Sequence, residues 1–189
     1  MVRELIELVT ATARPKAVYK SAQVSARDGG TVEIDGVAFA CHAFRVFNQT
    51  QPVFPYVVTC GRELDAVKFP AGEAMKTYAL TIIKIMIATS ATSYLQNHLV
   101  RDYALQQISG LIPGHPASWP VKQTKELVSL LGNVEDSIGV RLTDSLVLMP
   151  VNSVSGILYP TKMRLERCHV CPNETCRERR TAYDPAVLE

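Results

Sequence analysis

From Met75 to His98 the sequence repeats at helical spacing, with Met75, Ala79, Ile82, Ile83, Met86, Ile87, Ser90, Ala91, Tyr94, Leu95 and His98 recurring over several turns. A periodic run of that length demands one long helix, extending to about Gln107, and the rest of the chain has to be arranged around it. Its apolar positions cover more than one stripe and polar residues are scarce before Gln96, which predicts a central helix packed beneath a sheet. Its middle, Ala88-Thr89-Ser90-Ala91-Thr92-Ser93, is all small side chains, so another backbone or a bound ligand can approach closely. Lys84 interrupts the most apolar stretch, Ala79 to Ala88, well short of the ~20 apolar residues of a spanning helix, so no membrane helix is expected.

Around this helix the pattern is that of strands. Val2 to Ala13 reads as a short amphipathic helix that Arg14-Pro15 ends. Ala17 to Val24 and Thr31 to Phe39 are β-prone runs flanking Asp28-Gly29-Gly30, and Asp35-Gly36 is a second hairpin signal. Phe54 to Thr59 is a further strand, and Pro52 and Pro55 place its start at a sheet edge. Leu111 to Trp119, with Pro113, Gly114 and Pro116, forms an irregular loop, and a shorter helix runs from Pro120, with Ser118 as a nearby cap, to Gly132. Gly139 to Leu142, Leu146 to Met149 and Val154 to Leu158 make a second meander. Strands and helices are segregated, so the class is α+β: antiparallel twisted sheet packed with a long central helix and a shorter second helix.

The chain has 189 residues, enough for about one domain of ~100–200 residues, with residues 1–165 forming the domain and 166–189 a cysteine- and arginine-rich tail. Lys+Arg 20 against Asp+Glu 18 leaves a net charge of +2, too small for sequence-independent nucleic-acid binding. The start, Met1-Val2-Arg3-Glu4-Leu5, lacks the pattern of a signal peptide, which predicts a cytoplasmic protein. His42 and His98 have no paired Ser, Cys or acid at interpretable spacing, and Asp28-Gly29-Gly30 precedes a strand instead of a helix, which argues against a catalytic triad and a phosphate loop.

Cys168-His169-Val170-Cys171-Pro172-Asn173-Glu174-Thr175-Cys176 is a C-x2-C-x4-C array, and in a reducing compartment three clustered thiols indicate metal or redox chemistry. Cys168, Cys171 and Cys176 leave a fourth tetrahedral zinc position for His169, Cys41, Cys60 or water, and an iron–sulfur cubane would keep one open iron; the spacing does not choose. Arg177, Arg179 and Arg180 favour thiolate over thiol. Cys41 and Cys60, in apolar strand-like runs, read as buried inert thiols.

Gly110 through Tyr159 has an ordered set of motifs: the Pro113-Gly114-His115 loop, Trp119-Pro120 with Gln123, Ile138-Gly139-Val140-Arg141-Leu142-Thr143-Asp144-Ser145, Met149-Pro150 and Ser153-Val154-Ser155-Gly156. With Arg14-Pro15-Lys16-Ala17-Val18-Tyr19 and Val58-Thr59-Cys60-Gly61-Arg62-Glu63-Leu64-Asp65 upstream, the chain resembles the activation domain of cobalamin-dependent methionine synthase, in its short, free-standing form with a C-terminal cysteine cluster. The resemblance implies S-adenosylmethionine as ligand and cobalamin held by a partner, a corrinoid-bearing methyltransferase module or protein whose cofactor is reduced by an electron donor and remethylated, in methionine biosynthesis. The chain would be one part of a methyltransferase system. It also implies that Pro113, Gly114, His115, Ser153, Ser155 and Gly156 bind the ligand, with His115 in the aromatic slot of the loop. Gly110 stands where the long enzymes carry an arginine and Leu111 where they carry the first loop proline, so the carboxylate clamp is missing, and Arg164-Leu165-Glu166 follows where they have an aromatic pair. The alternative is a metal- or iron–sulfur-bearing redox or interaction protein serving a corrinoid enzyme without S-adenosylmethionine.

Overall fold

The computed structural model describes residues 1–28, 31–47, 49–115, 119–162, 165–166, 168–177 and 179–188, without the side chains of 26–28. The architecture is α+β with antiparallel sheet, as the pattern predicts. The chain divides into two compact units, each assembled from three segments: Met1–Val18, Val57–Leu95 and Asn133–Val154 form the first, and Tyr19–Tyr56, Gln96–Gly132 and Ser155–Glu189 the second.

The elements follow the sequence signals with instructive shifts. Helix α1 is Val2–Thr12. The single run read from Ala17 to Val24 is split into β1, Lys16–Tyr19, and β2, Val24–Asp28, and between them Ala22 exchanges backbone hydrogen bonds with Val53 at 2.9 Å. Strands β3, Thr31–Ile34, and β4, Val37–Ala40, turn at Asp35-Gly36, whose φ values of 47° and 82° are the left-handed pair a two-residue hairpin requires. β2-β3-β4 is the expected antiparallel meander; its first turn, at Gly29 and Gly30, lies outside the described residues.

Strand β5, Phe54–Thr59, joins a four-stranded sheet of order β1-β5-β9-β6, where β6 is Gln107–Leu111 and β9 is Val154–Thr161. β5 is therefore interior and buried along its whole length, not an edge strand. Pro55 is tolerated because it sits one residue into the strand, where only its carbonyl is needed: that oxygen accepts from the Lys20 N–H at 3.1 Å. The second meander is also corrected. β7, Arg141–Leu142, and β8, Leu148–Met149, form a small hairpin, and β9 leaves them for the larger sheet.

Helix α2, Ala74–Asp102, ends five residues before the expected Gln107, with Ala104 at a φ of 50° beyond it, and Gln107 instead begins β6. The long helix is present as expected, but its burial is narrower than the pattern predicts. Only Leu80, Ala88, Leu95 and Leu99 of α2 are buried, while Met75, Tyr78, Met86 and Tyr94 are each more than 60% exposed. By length and composition the segment Ala71–Asp102 is also long and apolar enough to cross a membrane, contrary to the argument from Lys84. As far as Leu95 the helix belongs to the first unit. Leu80 and Ile87 pack with Cys60 and Leu64, and the Lys84 ammonium binds the Asp65 carboxylate at 2.6 Å.

The shorter helix, α3, is Thr124–Leu130, and Gly132 at a φ of 74° stops it. A further helix, α4, Val134–Ile138, forms where the sequence pattern predicts no element; the Asn133 side chain accepts from the Asp136 N–H at 3.1 Å, and Gly139 closes the helix in the left-handed region instead of opening a strand. The larger hydrophobic core lies in the second unit, where Phe39, Phe44, Phe47, Trp119 and Tyr159 are buried with Leu111, Leu127 and Ile157.

Candidate functional site

The loop that follows β6 grows out of a fixed ladder. β6 and β9 pair antiparallel from Gln107 opposite Thr161 to Leu111 opposite Ile157. Beyond Leu111 the chain closes on itself: the Ile112 N–H donates to the His115 carbonyl at 3.3 Å and the His115 N–H returns a bond to Ile112 at 2.9 Å. Gly114 turns this bridge with a φ of 82°, and a Cβ there would lie 2.8 Å from Val121 Cγ2. The loop's far end is pinned because the Gly114 N–H donates to the Trp119 carbonyl at 2.7 Å, and the Trp119 ring is fully buried with its edge against Phe44 at a centroid distance of 4.7 Å. Pro116, Ala117 and the suggested cap Ser118 lie outside the described residues.

Gly156 brings β9 directly beneath this loop. A Cβ at Gly156 would overlap the Leu111 carbonyl oxygen and lie 2.9 Å from Tyr56 Cε1 and 3.0 Å from Ile112 Cγ2, so the backbones meet without an intervening side chain. Pro113, Gly114, His115, Ser155 and Gly156 all belong to the second unit, with Ser155 buried on β9. Ser153 is placed differently. It precedes β9, lies in the first unit, and its hydroxyl donates to the Pro150 carbonyl at 2.7 Å and pairs with Thr59 Oγ1 at 3.0 Å, which makes it an anchor of its own turn. The strand alternation that would set Ser153 and Ser155 on one face thus begins one residue too late. At Gly110 a Cβ would approach Leu158 Cδ2 to 2.8 Å, with the Gln96 amide nitrogen 4.0 Å away.

The cysteine segment is organised by a guanidinium. Arg179 Nη2 donates to the carbonyls of Asn173 and Cys171 at 2.7 and 2.8 Å, and Nη1 to those of Thr181 and Cys168 at 3.0 and 3.4 Å. Cys171 and Val170 are buried, Val170 in the aromatic core, whereas Cys168 and Cys176 are half-buried. His169 Nδ1 accepts the Glu166 N–H at 3.0 Å. Among the described residues no three His, Cys, Asp or Glu side chains come together closely enough to hold a metal ion, so Cys168, Cys171 and Cys176 are not assembled as a centre. The Arg180 backbone N–H donates to Cys168 Sγ at 3.4 Å, and this bond holds the Cys168 thiol below its ordinary range. Cys41 and Cys60 are buried as expected, and burial pushes the Cys60 thiol up.

One side-chain chain escaped the sequence argument. His98 Nδ1 lies 3.3 Å from Asp102 Oδ2, and His98 Nε2 lies 3.2 Å from the Tyr19 hydroxyl. The His–Asp half was available as an i, i+4 pair on α2; Tyr19, 79 residues away, was not.

The α+β fold and the sequence of the segment that carries the loop are both shared with known proteins. Residues 94–164 match the family model "Vitamin B12 dependent methionine synthase, activation domain". Among solved structures the chain is similar in fold to the MetH reactivation domain bound to AdoHcy, with a TM-score of 0.58 and 17% identity over 88% of this chain and 68% of that one. Comparison with curated proteins gave no match. The resemblance drawn from the sequence is thus met over the matched segment by the family model and over most of the chain by the fold.

Proposed function

We propose that this chain binds S-adenosylmethionine at the Pro113-Gly114-His115 loop over Ser155-Gly156, and presents it to cobalamin held by a corrinoid-bearing partner. The observation that carries the reading is the close approach of Gly156 to the Leu111 carbonyl and the Ile112 side chain, which seats the loop on β9: the N–H groups of Ile112, Gly114 and His115 are spent inside the loop, so what it would offer a zwitterionic ligand is the carbonyls of Pro113 and Gly114 and the His115 side chain. The MetH domain of similar fold is bound to AdoHcy, the product left when S-adenosylmethionine gives up its methyl group. When bound, S-adenosylmethionine supplies a sulfonium-activated methyl for the corrinoid. This chain's own residues would hold and orient the ligand: His115 by stacking or hydrogen bonding, and the backbone of Pro113 and Gly114 by close approach. With Gly110 in place of an arginine, the ligand carboxylate would be met without a guanidinium from that position, so affinity should be modest. The corrinoid partner, its electron donor and a cytoplasmic setting belong to the same proposal.

Isothermal titration of the 189-residue chain with S-adenosylmethionine tests it. One saturable site is expected, and Gly114→Val should remove it, because the new side chain meets Val121 and the left-handed φ is strained. No heat of binding, or equal affinity in a variant that retains its fold by circular dichroism, would dismiss the site.

A further inference from the structure

Helix α2 presents an exposed face along Ala74–Tyr94, within the first unit. Met75, Tyr78, Met86 and Tyr94 are 66%, 65%, 61% and 73% exposed, and Ile82 and Ile85 are 39% and 45% exposed. Met75, Tyr78, Ile82, Ile85 and Met86 share one stripe of the helix and leave roughly 550 Å² of side chain uncovered, about two thirds of the ~800 Å² that each partner contributes to a standard interface. Between Thr77 and Tyr94 the only charged residue is Lys84, which points to the other side and is held by Asp65. A lipid surface fits poorly, since an interfacial helix borders its apolar face with free Lys or Arg, and a spanning helix cannot keep one side ion-paired to its own domain.

The distribution of bulk along the face selects the occupant. Along the stripe Met75, Tyr78, Ile82, Ile85, Met86, Thr89 and Ser93, large side chains occupy the first half and the centre and small exposed ones, Thr89 and Ser93, the end, while Tyr94 lies about 120° round the helix. Parallel pairing with an identical helix would set Tyr78 on Tyr78 and Ile82 on Ile82, and leave Thr89 and Ser93 facing each other across a gap. Antiparallel pairing about the midpoint between Ile85 and Met86 sets Tyr78 opposite Ser93 and Ile82 opposite Thr89, so that each knob meets a hollow. We propose that this face of α2 binds a second copy of the chain as an antiparallel, two-fold helix pair with Ile85 and Met86 at its centre. The contact is isologous: each pairing occurs twice, and no charge is buried without a partner.

Sedimentation equilibrium of the full chain at concentrations up to about 100 µM is the test, with thermal melts as a control for folding. The wild type should populate a dimer, and Met86→Glu, which puts two carboxylates at the two-fold axis, should be a folded monomer. Ser93→Tyr should weaken the dimer about tenfold, and the double variant Tyr78→Ser with Ser93→Tyr, which exchanges knob and hollow, should restore it. A wild type that stays monomeric, a dimer indifferent to Met86→Glu, or a double variant no tighter than Ser93→Tyr alone would overturn the proposal. So would Met86→Glu-sensitive flotation of the protein with phosphatidylcholine or phosphatidylglycerol vesicles, which would assign the face to lipid.

Discussion

One methyl group added at Gly156 probes the contact on which the proposed site is built. In Gly156→Ala the new Cβ overlaps the Leu111 carbonyl oxygen and crowds Tyr56 and Ile112 at 2.9 and 3.0 Å. The tyrosine and isoleucine atoms can give way by a few tenths of an ångström. The carbonyl cannot, because Leu111 is the last residue of the β6–β9 ladder and sits opposite Ile157, next to the substituted residue. Relief therefore requires a shift of the strand end and of the loop that leaves it. Overpacking of this kind costs about 1–3 kcal/mol. At roughly 2–4 °C per kcal/mol for a chain of this size, a central value of about 2 kcal/mol lowers the melting temperature by about 6 °C. Gly156 has no left-handed φ, so backbone strain does not contribute. Gly72→Ala is the matched control: nothing lies within 4 Å of its Cβ, and its melting temperature should stay near that of the wild type. Differential scanning calorimetry reads the stability, and titration with S-adenosylmethionine should show a loss of tenfold or more in affinity, about 1.4 kcal/mol. A Gly156→Ala protein that melts with the wild type would refute the close-packing argument.

Trp119→Ala should cost about 3–5 kcal/mol in urea unfolding followed by circular dichroism, because it empties a fully buried ring site against Phe39 and Phe44. Arg179→Met should open the segment from Cys168 to Thr181 to thermolysin, since it strips the donors from four backbone carbonyls; an unchanged cleavage pattern would contradict its role as hub. The Lys20 ammonium, 2.7 Å away, and the Gln23 N–H hold the Asp35 carboxyl below its usual range, so its contribution is present above the unfolded value near pH 4 and disappears as pH falls through the lower folded value. Asp35→Asn should accordingly cost up to about 1 kcal/mol at pH 7 and progressively less as the pH is lowered below about 4, in melts across that range.

The local signals in this chain were legible wherever one residue type dictates backbone geometry. Asp35-Gly36 turned as expected, Gly132 stopped α3, and the α2 period was correct to within a turn or two at its C-terminal end. Inferences that depend on what lies across space were weaker. Burial of α2 was overestimated because an apolar face reads identically whether a sheet or nothing covers it. β5 was read as an edge because a proline signals a missing donor without saying which neighbour would have needed it. For the candidate site, Pro113, Gly114, His115, Ser153, Ser155 and Gly156 were nameable only from sequence order and resemblance; that five of them fall in the second unit while Ser153 bonds to Thr59 and Pro150 in the first depends on where β9 begins. The three thiols illustrate the same limit. Spacing in C-x2-C-x4-C is compatible with convergence, yet the segment wraps around Arg179, whose planar fork of donors suits carbonyl oxygens that a spacing rule does not count.

Hydrogen–deuterium exchange with and without saturating S-adenosylmethionine tests the central claim most directly, because it reports where the ligand sits. Slowed exchange is predicted at the backbone amides of Leu111 to His115, Pro113 excepted, and at Ser155 to Ile157, with the α2 face from Met75 to Tyr94 unchanged. Protection elsewhere alone, or no protection at ligand concentrations well above those that saturate binding, would contradict the assignment of this loop and strand as the ligand site.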